Sequence, residues 1–122
     1  MSTNDPDSLF AKRVRDRREH LKSRGLSGWT VRAVAERLGV KHTYLVALEG
    51  GRTAPSDRMI EGLSRELGLD RDELHALAGT IPPDVRCAVA SNVRLFRLVR
   101  AMADADEEQV DGVVRSIREG EW

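Results

Sequence analysis

The chain has 122 residues and a mass of 13.6 kDa, enough for one compact domain or a small domain with an appendage. Charged residues make up 33% and aromatics 4%, a mixture unlike a β-sandwich, and the single cysteine, Cys87, excludes an internal disulfide framework. The net charge is zero, and no apolar run nears the ~20 residues of a membrane-spanning helix.

The zero hides an asymmetry. Residues 9–60 carry 12 Lys and Arg against 5 Asp and Glu, whereas residues 61–122 carry 8 against 13. The split reads either as two solvated helical surfaces or as a polyanion-binding front with an acidic back. The first eight residues are polar and acidic, unlike a secretion signal, so the expected setting is cytoplasmic and reducing.

A first helix is predicted over residues 8–23, with Phe10, Val14 and Leu21 on one stripe and Gly25 after its end. The arginines around it, Arg13, Arg15 and Arg17, read as a solvated face. Thr30 is a good N-cap for a short helix over residues 31–38, and Trp29 and Val34 have the spacing of a hydrophobic staple. Gly39 stops that helix. A third runs over residues 41–49 and is closed by Gly50 and Gly51. Ser56 caps a fourth, with Met59, Ile60, Leu63 and Leu67 as its apolar face. Asp70 and Glu73 have capping-box spacing and open a fifth, which contains Leu74 and Leu77. Pro82 and Pro83 then mark a boundary.

Beyond it the composition changes. Residues 84–90 form a short helical piece. Residues 93–103 form another, with Leu95, Phe96, Leu98, Val99 and Met102 as a broad stripe. Asp106 and Gln109 open the last helix, where Val110, Val113, Val114 and Ile117 recur at helical spacing. The expectation is an all-α chain of about eight helices, divided into residues 1–80 and a tail over 81–122.

One segment carries a specific pattern. Counting from Val31, positions 4, 5, 8, 9, 10, 15 and 18 are Val34, Ala35, Leu38, Gly39, Val40, Leu45 and Leu48. A helix-turn-helix needs a small residue at the fifth position, where the second helix crosses. It needs a residue tolerant of positive φ at the ninth, and apolar locks at the other five. All seven requirements are met in register. Arg13, Val14 and Arg18 precede this segment, and Tyr44, Glu49, Gly51, Arg52, Thr53, Pro55 and Ser56 stand in or after its second helix. With Leu67, Gly68, Leu69 and Leu74 the text resembles the Cro/phage-repressor type of helix-turn-helix domain, the XRE family, from about Leu9 to Ala78.

The resemblance implies a five-helix, lambda-repressor-like domain that binds double-stranded operator DNA as a dimer, with residues 41–49 as recognition helix. It also implies that Arg18 pairs with Glu49 and that Arg52 and Thr53 lie in a loop for backbone contacts. The residue chemistry agrees. Lys41, His42 and Thr43 hydrogen-bond at the end of the helix that would enter a major groove, and Tyr44 can reach a phosphate or a base edge. Val46 and Ala47 are small apolar partners for a thymine methyl. Thr30 and Arg32 are placed to meet a phosphate. The plainer readings are an ordinary exposed histidine for His42 and a packing residue for Tyr44.

No catalytic constellation, cofactor motif or metal site is expected. His20, His75 and Cys87 are isolated in sequence, and Cys87 reads as a small apolar filler. The acidic cluster Asp104, Asp106, Glu107 and Glu108 sits at a helix start, where carboxylates complement the dipole.

The two tail stripes need a surface to cover them. The expected role is homodimerisation through Leu95, Phe96, Leu98, Val99, Met102, Val110, Val113, Val114 and Ile117. The plan is similar to short-tailed repressors of bacterial and mobile-element stress switches, in some of which a metallopeptidase cuts the tail; no cut site shows here. The leading expectation is a repressor on an inverted-repeat operator. The alternative is an antitoxin whose tail neutralises a partner toxin enzyme, with DNA binding serving autoregulation.

Overall fold

The computed structural model describes residues 8–25 and 27–120. The acidic stretch at residues 1–7 and Leu26 lie outside them. The described residues form eight α-helices and no strand: α1 Leu9–Ser23, α2 Val31–Leu38, α3 His42–Glu49, α4 Asp57–Leu67, α5 Arg71–Ala78, α6 Pro83–Ala90, α7 Val93–Met102 and α8 Glu107–Glu119. The chain divides into two compact units, one ending at Pro82 and one starting at Pro83.

Local chemistry sets the boundaries of the first unit's helices. Thr30 and Ser56 accept from Ala33 N and Met59 N, both at 3.1 Å, each satisfying a donor that the helix leaves open. Ser8 does the same for Ala11 N at 3.3 Å. The sequence placed Lys41 in the third helix; it is instead the N-cap, in extended conformation and with no side-chain cap bond, because a lysine has no acceptor to offer. Only half of the expected capping box forms on α5. Asp70 accepts from Glu73 N at 3.0 Å, but the Glu73 carboxylate accepts from Arg13 Nε, also at 3.0 Å, and is drawn to α1.

The core of this unit gathers Phe10, Val14 and Leu21 of α1, Val34 and Ala35 of α2, and Leu45 and Leu48 of α3 with the apolar faces of α4 and α5. α1 packs on α3, α4 and α5, and α2 on α3 and α4. Trp29 packs against this cluster in front of α2. Gly62 allows the α2–α4 approach: a Cβ there would lie 2.8 Å from Leu38 Cδ2. His75, isolated in the sequence, is 1% exposed, with Nδ1 2.8 Å from Thr80 Oγ1 and no partner for Nε2 among the described residues.

Two of the α1 arginines read as a solvated face are engaged by the fold, while Arg13 keeps an exposed pair with Glu73. Arg15 Nη1 donates to Glu49 O at 3.2 Å and Arg17 Nε to Leu67 O at 2.9 Å. Each puts a cation on the open carbonyls at the C-terminus of another helix, α3 and α4, where the dipole favours it.

The second unit holds α6–α8. α6 begins at Pro83 itself, one residue ahead of the expectation, since proline suits the first helical turn where its missing N–H costs nothing. Asn92 caps α7. α8 opens on a complete capping box: Gln109 N donates to Asp106 Oδ1 at 2.8 Å, and Asp106 N to Gln109 Oε1 at 3.0 Å. No residue of these three helices is buried. Cys87 is exposed, not an apolar filler, because α6 has no core to fill.

Candidate nucleic-acid interface

The segment from Thr30 to Thr53 is built around one sharp turn. Gly39 sits at φ +73°, where a side chain would be strained, and nothing lies within 4 Å of the Cβ it lacks. Gly39 N donates to Glu36 O at 3.1 Å and Val40 N to Ala35 O at 3.0 Å, the paired bonds of a Schellman ending. Val34, Ala35, Leu45 and Leu48 are buried, and Leu38 and Val40 pack half-buried on the same core. The seven-position pattern thus corresponds to one tight two-helix corner.

α3 is clamped at its C-terminal end. Arg18 donates from Nε to Glu49 Oε2 at 2.7 Å and from Nη2 to Glu49 Oε1 at 2.9 Å, and its Nη1 reaches Trp29 O at 3.1 Å. Both side chains are buried, at 7% and 6% exposure for the two residues. The hydrogen bond to Glu49 raises the Arg18 pKa above its ordinary value, against the opposing effect of burial. One guanidinium therefore ties α1, the strand of chain before α2, and the end of α3 together.

A second Schellman ending follows. Gly51 N donates to Leu48 O at 3.1 Å and Arg52 N to Ala47 O at 2.9 Å, with Gly51 at φ +70°. This fixes where the loop carrying Arg52 and Thr53 leaves α3. Arg37 holds the other flank: it donates to Gly28 O at 2.6 Å and Glu66 Oε2 at 2.8 Å, and its guanidinium lies 4.9 Å from the Trp29 ring centroid.

The expected contact residues fall into two groups. Thr30, Arg32, Lys41, Thr43, Val46 and Arg52 are exposed. His42, Tyr44, Ala47 and Thr53 are half-buried. Tyr44 packs against the core and lines a groove of about 420 Å³ with Val40, Ser56 and Arg58, so its ring serves the fold while its hydroxyl remains a polar tip. The Thr30 oxygen is occupied as an acceptor by Ala33 N, but its hydroxyl proton can still be donated.

The electrostatics of this face differ from a simple count. Residues 30–56 hold four Lys and Arg and two Glu. Arg37 and Glu49 are engaged internally, so Arg32, Lys41 and Arg52 are the cations offered to a polyanion, with Glu36 as the remaining carboxylate. Of the first-helix arginines, Arg15, Arg17 and Arg18 hydrogen-bond within the fold and Arg13 pairs with Glu73, which leaves this narrower patch as the basic front of the α2–α3 corner. The sequence did not signal the supports from Arg15, Arg17, Arg37 and Gly62. Each depends on a residue at least nine positions away in the chain.

A sharp two-helix corner with a clamped, outward-facing second helix defines a helix-turn-helix DNA-binding protein. Residues 9–77 match the family model described as helix-turn-helix domain, and the chain belongs to that family of XRE-like DNA-binding domains. No curated protein and no solved structure matched in the other two comparisons. Among the described residues, no helix is long and apolar enough to cross a membrane.

Proposed function

We propose that the chain is a sequence-specific transcriptional regulator, a homodimeric cytoplasmic repressor acting on an inverted-repeat operator. In this reading α1–α5 form a lambda-repressor-like DNA-binding domain, and α6–α8 form the dimerisation tail. The observation that carries it is the clamped α3. Its buried side is fixed through Glu49 and Leu48, while Lys41, Thr43 and Val46 stand outward along its exposed side. A major groove accepts a helix presented this way, and its base edges carry a full donor and acceptor code.

Lys41, His42 and Thr43 supply hydrogen bonds at the leading end. Val46 and Ala47 supply apolar contact one turn later, suited to a thymine methyl. Thr30, Arg32, Arg52 and Thr53 hold phosphates on either side, and Tyr44 reaches the backbone with its hydroxyl. In-vitro selection of binding sites tests this. The unmodified chain selects one motif, and alanine at both His42 and Thr43 changes it. An unchanged motif overturns the recognition-helix assignment.

The bare stripes of α7 and α8 also suit an antitoxin, in which the tail covers a partner toxin enzyme and DNA binding serves autoregulation. A toxin gene beside this one, with a stoichiometric complex of the two products on co-purification, would favour that reading over the homodimer. A neighbouring metallopeptidase gene would instead point to a repressor relieved by proteolysis.

A further inference from the structure

The second unit is incomplete as it stands. Leu98 and Val99 of α7 are 46% and 50% exposed, and Val114 and Ile117 of α8 are 41% and 49% exposed. Leu95, Met102 and Val113 are only half-buried. α7 packs on α6, and it meets α8 at the corner where Met102, Gln109 and Val113 line one groove, while most of both stripes stays exposed.

Charge distinguishes the two stripes. α7 carries Arg94, Arg97 and Arg100 and no carboxylate. Asp104, Asp106, Glu107, Glu108 and Asp111 lie in the corner before α8 and in its N-terminal half, while Arg115 and Arg118 come later. Arg94 lies one turn before Leu98 on the same side, and Glu107 one turn before Val110. Arg100 lies along the other rim of α7, 5.1 Å from the Phe96 ring centroid. The α7 stripe is therefore rimmed by cations and the start of the α8 stripe by a carboxylate.

We propose that a second copy of this chain covers the α7 stripe and the start of the α8 stripe by exchange: α7 of each copy lies against the N-terminal half of α8 of the other. The proposal rests on the dimer reading given above and specifies its contacts. Two-fold symmetry makes the contact twice and covers both α7 stripes and the start of both α8 stripes. Pairing α7 with its own copy would bring the rim arginines Arg94 and Arg100 of both copies together, which like-charge juxtaposition opposes. Pairing α8 antiparallel with its own copy would match Glu107 and Asp111 with Arg115 and Arg118 but leave both α7 stripes uncovered.

Isotope-filtered NOE spectra on an equal mixture of labelled and unlabelled full-length chain test the pairing without any substitution. Contacts between methyls of Leu98 or Val99 and those of Val110 or Val114 on different copies support it. Intermolecular contacts confined to α7 with α7 and α8 with α8 overturn the exchange and leave the dimer standing. A full-length chain that is monomeric at high concentration overturns both.

Charge reversal gives a second readout. Arg94→Glu, Arg97→Glu and Arg100→Glu in one chain, and Glu107→Arg, Glu108→Arg and Asp111→Arg in another, each place like charges across both contacts. Each variant alone is expected to weaken dimerisation about tenfold or more at low salt. Mixing the two restores opposite charges in both contacts and yields a 1:1 heterodimer by native mass spectrometry. A variant that self-associates like the unmodified chain overturns the proposal.

Discussion

On the proposed reading three kinds of residue meet at the α2–α3 corner, and each has its own signature on substitution. A base-reading side chain affects one base pair. Alanine at His42 or Thr43 is expected to cost ~1–3 kcal/mol on the specific site and to relax preference there alone. A phosphate-reading side chain affects all sequences alike. Arg52→Ala weakens every DNA similarly and lowers the slope of log K against log salt by about one unit, measured by titration across salt concentrations. A clamp residue affects the fold. Glu49→Ala strands the Arg18 guanidinium at 7% exposure, and losing one partner of a buried pair costs roughly 3–5 kcal/mol. Melting temperature and DNA affinity should fall together, because the same bonds hold the end of α3. Unchanged thermal stability would show that the three-way tie through Arg18 contributes nothing.

Among elements, the turn between α2 and α3 is the most demanding. Its glycine has open space around the missing Cβ, so a substitution there is opposed by backbone strain and not by a clash. Gly39→Ala is expected to lower stability by about 1 kcal/mol, and Gly39→Asn by less, since asparagine visits the left-handed region more readily. Denaturant melts of the two variants check the order. If Asn proves as costly as Ala, the open space around Gly39 is filled in solution. Gly62 has the opposite character. It lies mid-helix at ordinary backbone angles, and its role is the close passage of Leu38, a contact that no feature of α4 by itself announces.

For the whole molecule, the two units differ in self-sufficiency. The first has a continuous core, and the second buries none of its residues. A chain truncated after Pro82 retains the Thr80 bonds to His75 and the buried Pro82. It should keep the cooperative melt of the first unit. It should sediment as a monomer and bind the full operator far more weakly, while keeping the base preference of a half-site. Sedimentation and operator titration of both lengths check this. A truncated chain that still dimerises would place the interface in the first unit.

The sequence by itself determined what depends on near neighbours. Caps such as Thr30, Ser56 and Asp106 act within three residues, Gly39 within one turn, and apolar periodicity within one helix. Helix number, the two-helix corner and the face of α3 carrying Thr43 and Val46 were legible for that reason. The pairing of Arg18 with Glu49 came from the family resemblance, not from spacing. Only the tertiary structure decided which charges are spent within the fold. Arg15 and Arg17 look like their solvated neighbours along the chain, and their carbonyl partners lie 34 and 50 positions away. Burial is equally non-local: His75 is enclosed and Cys87 exposed because α5 packs against α1 and α4, while α6 has no core to pack on. A local pattern states what a segment can offer, and the three-dimensional packing selects which of those groups remain for a partner.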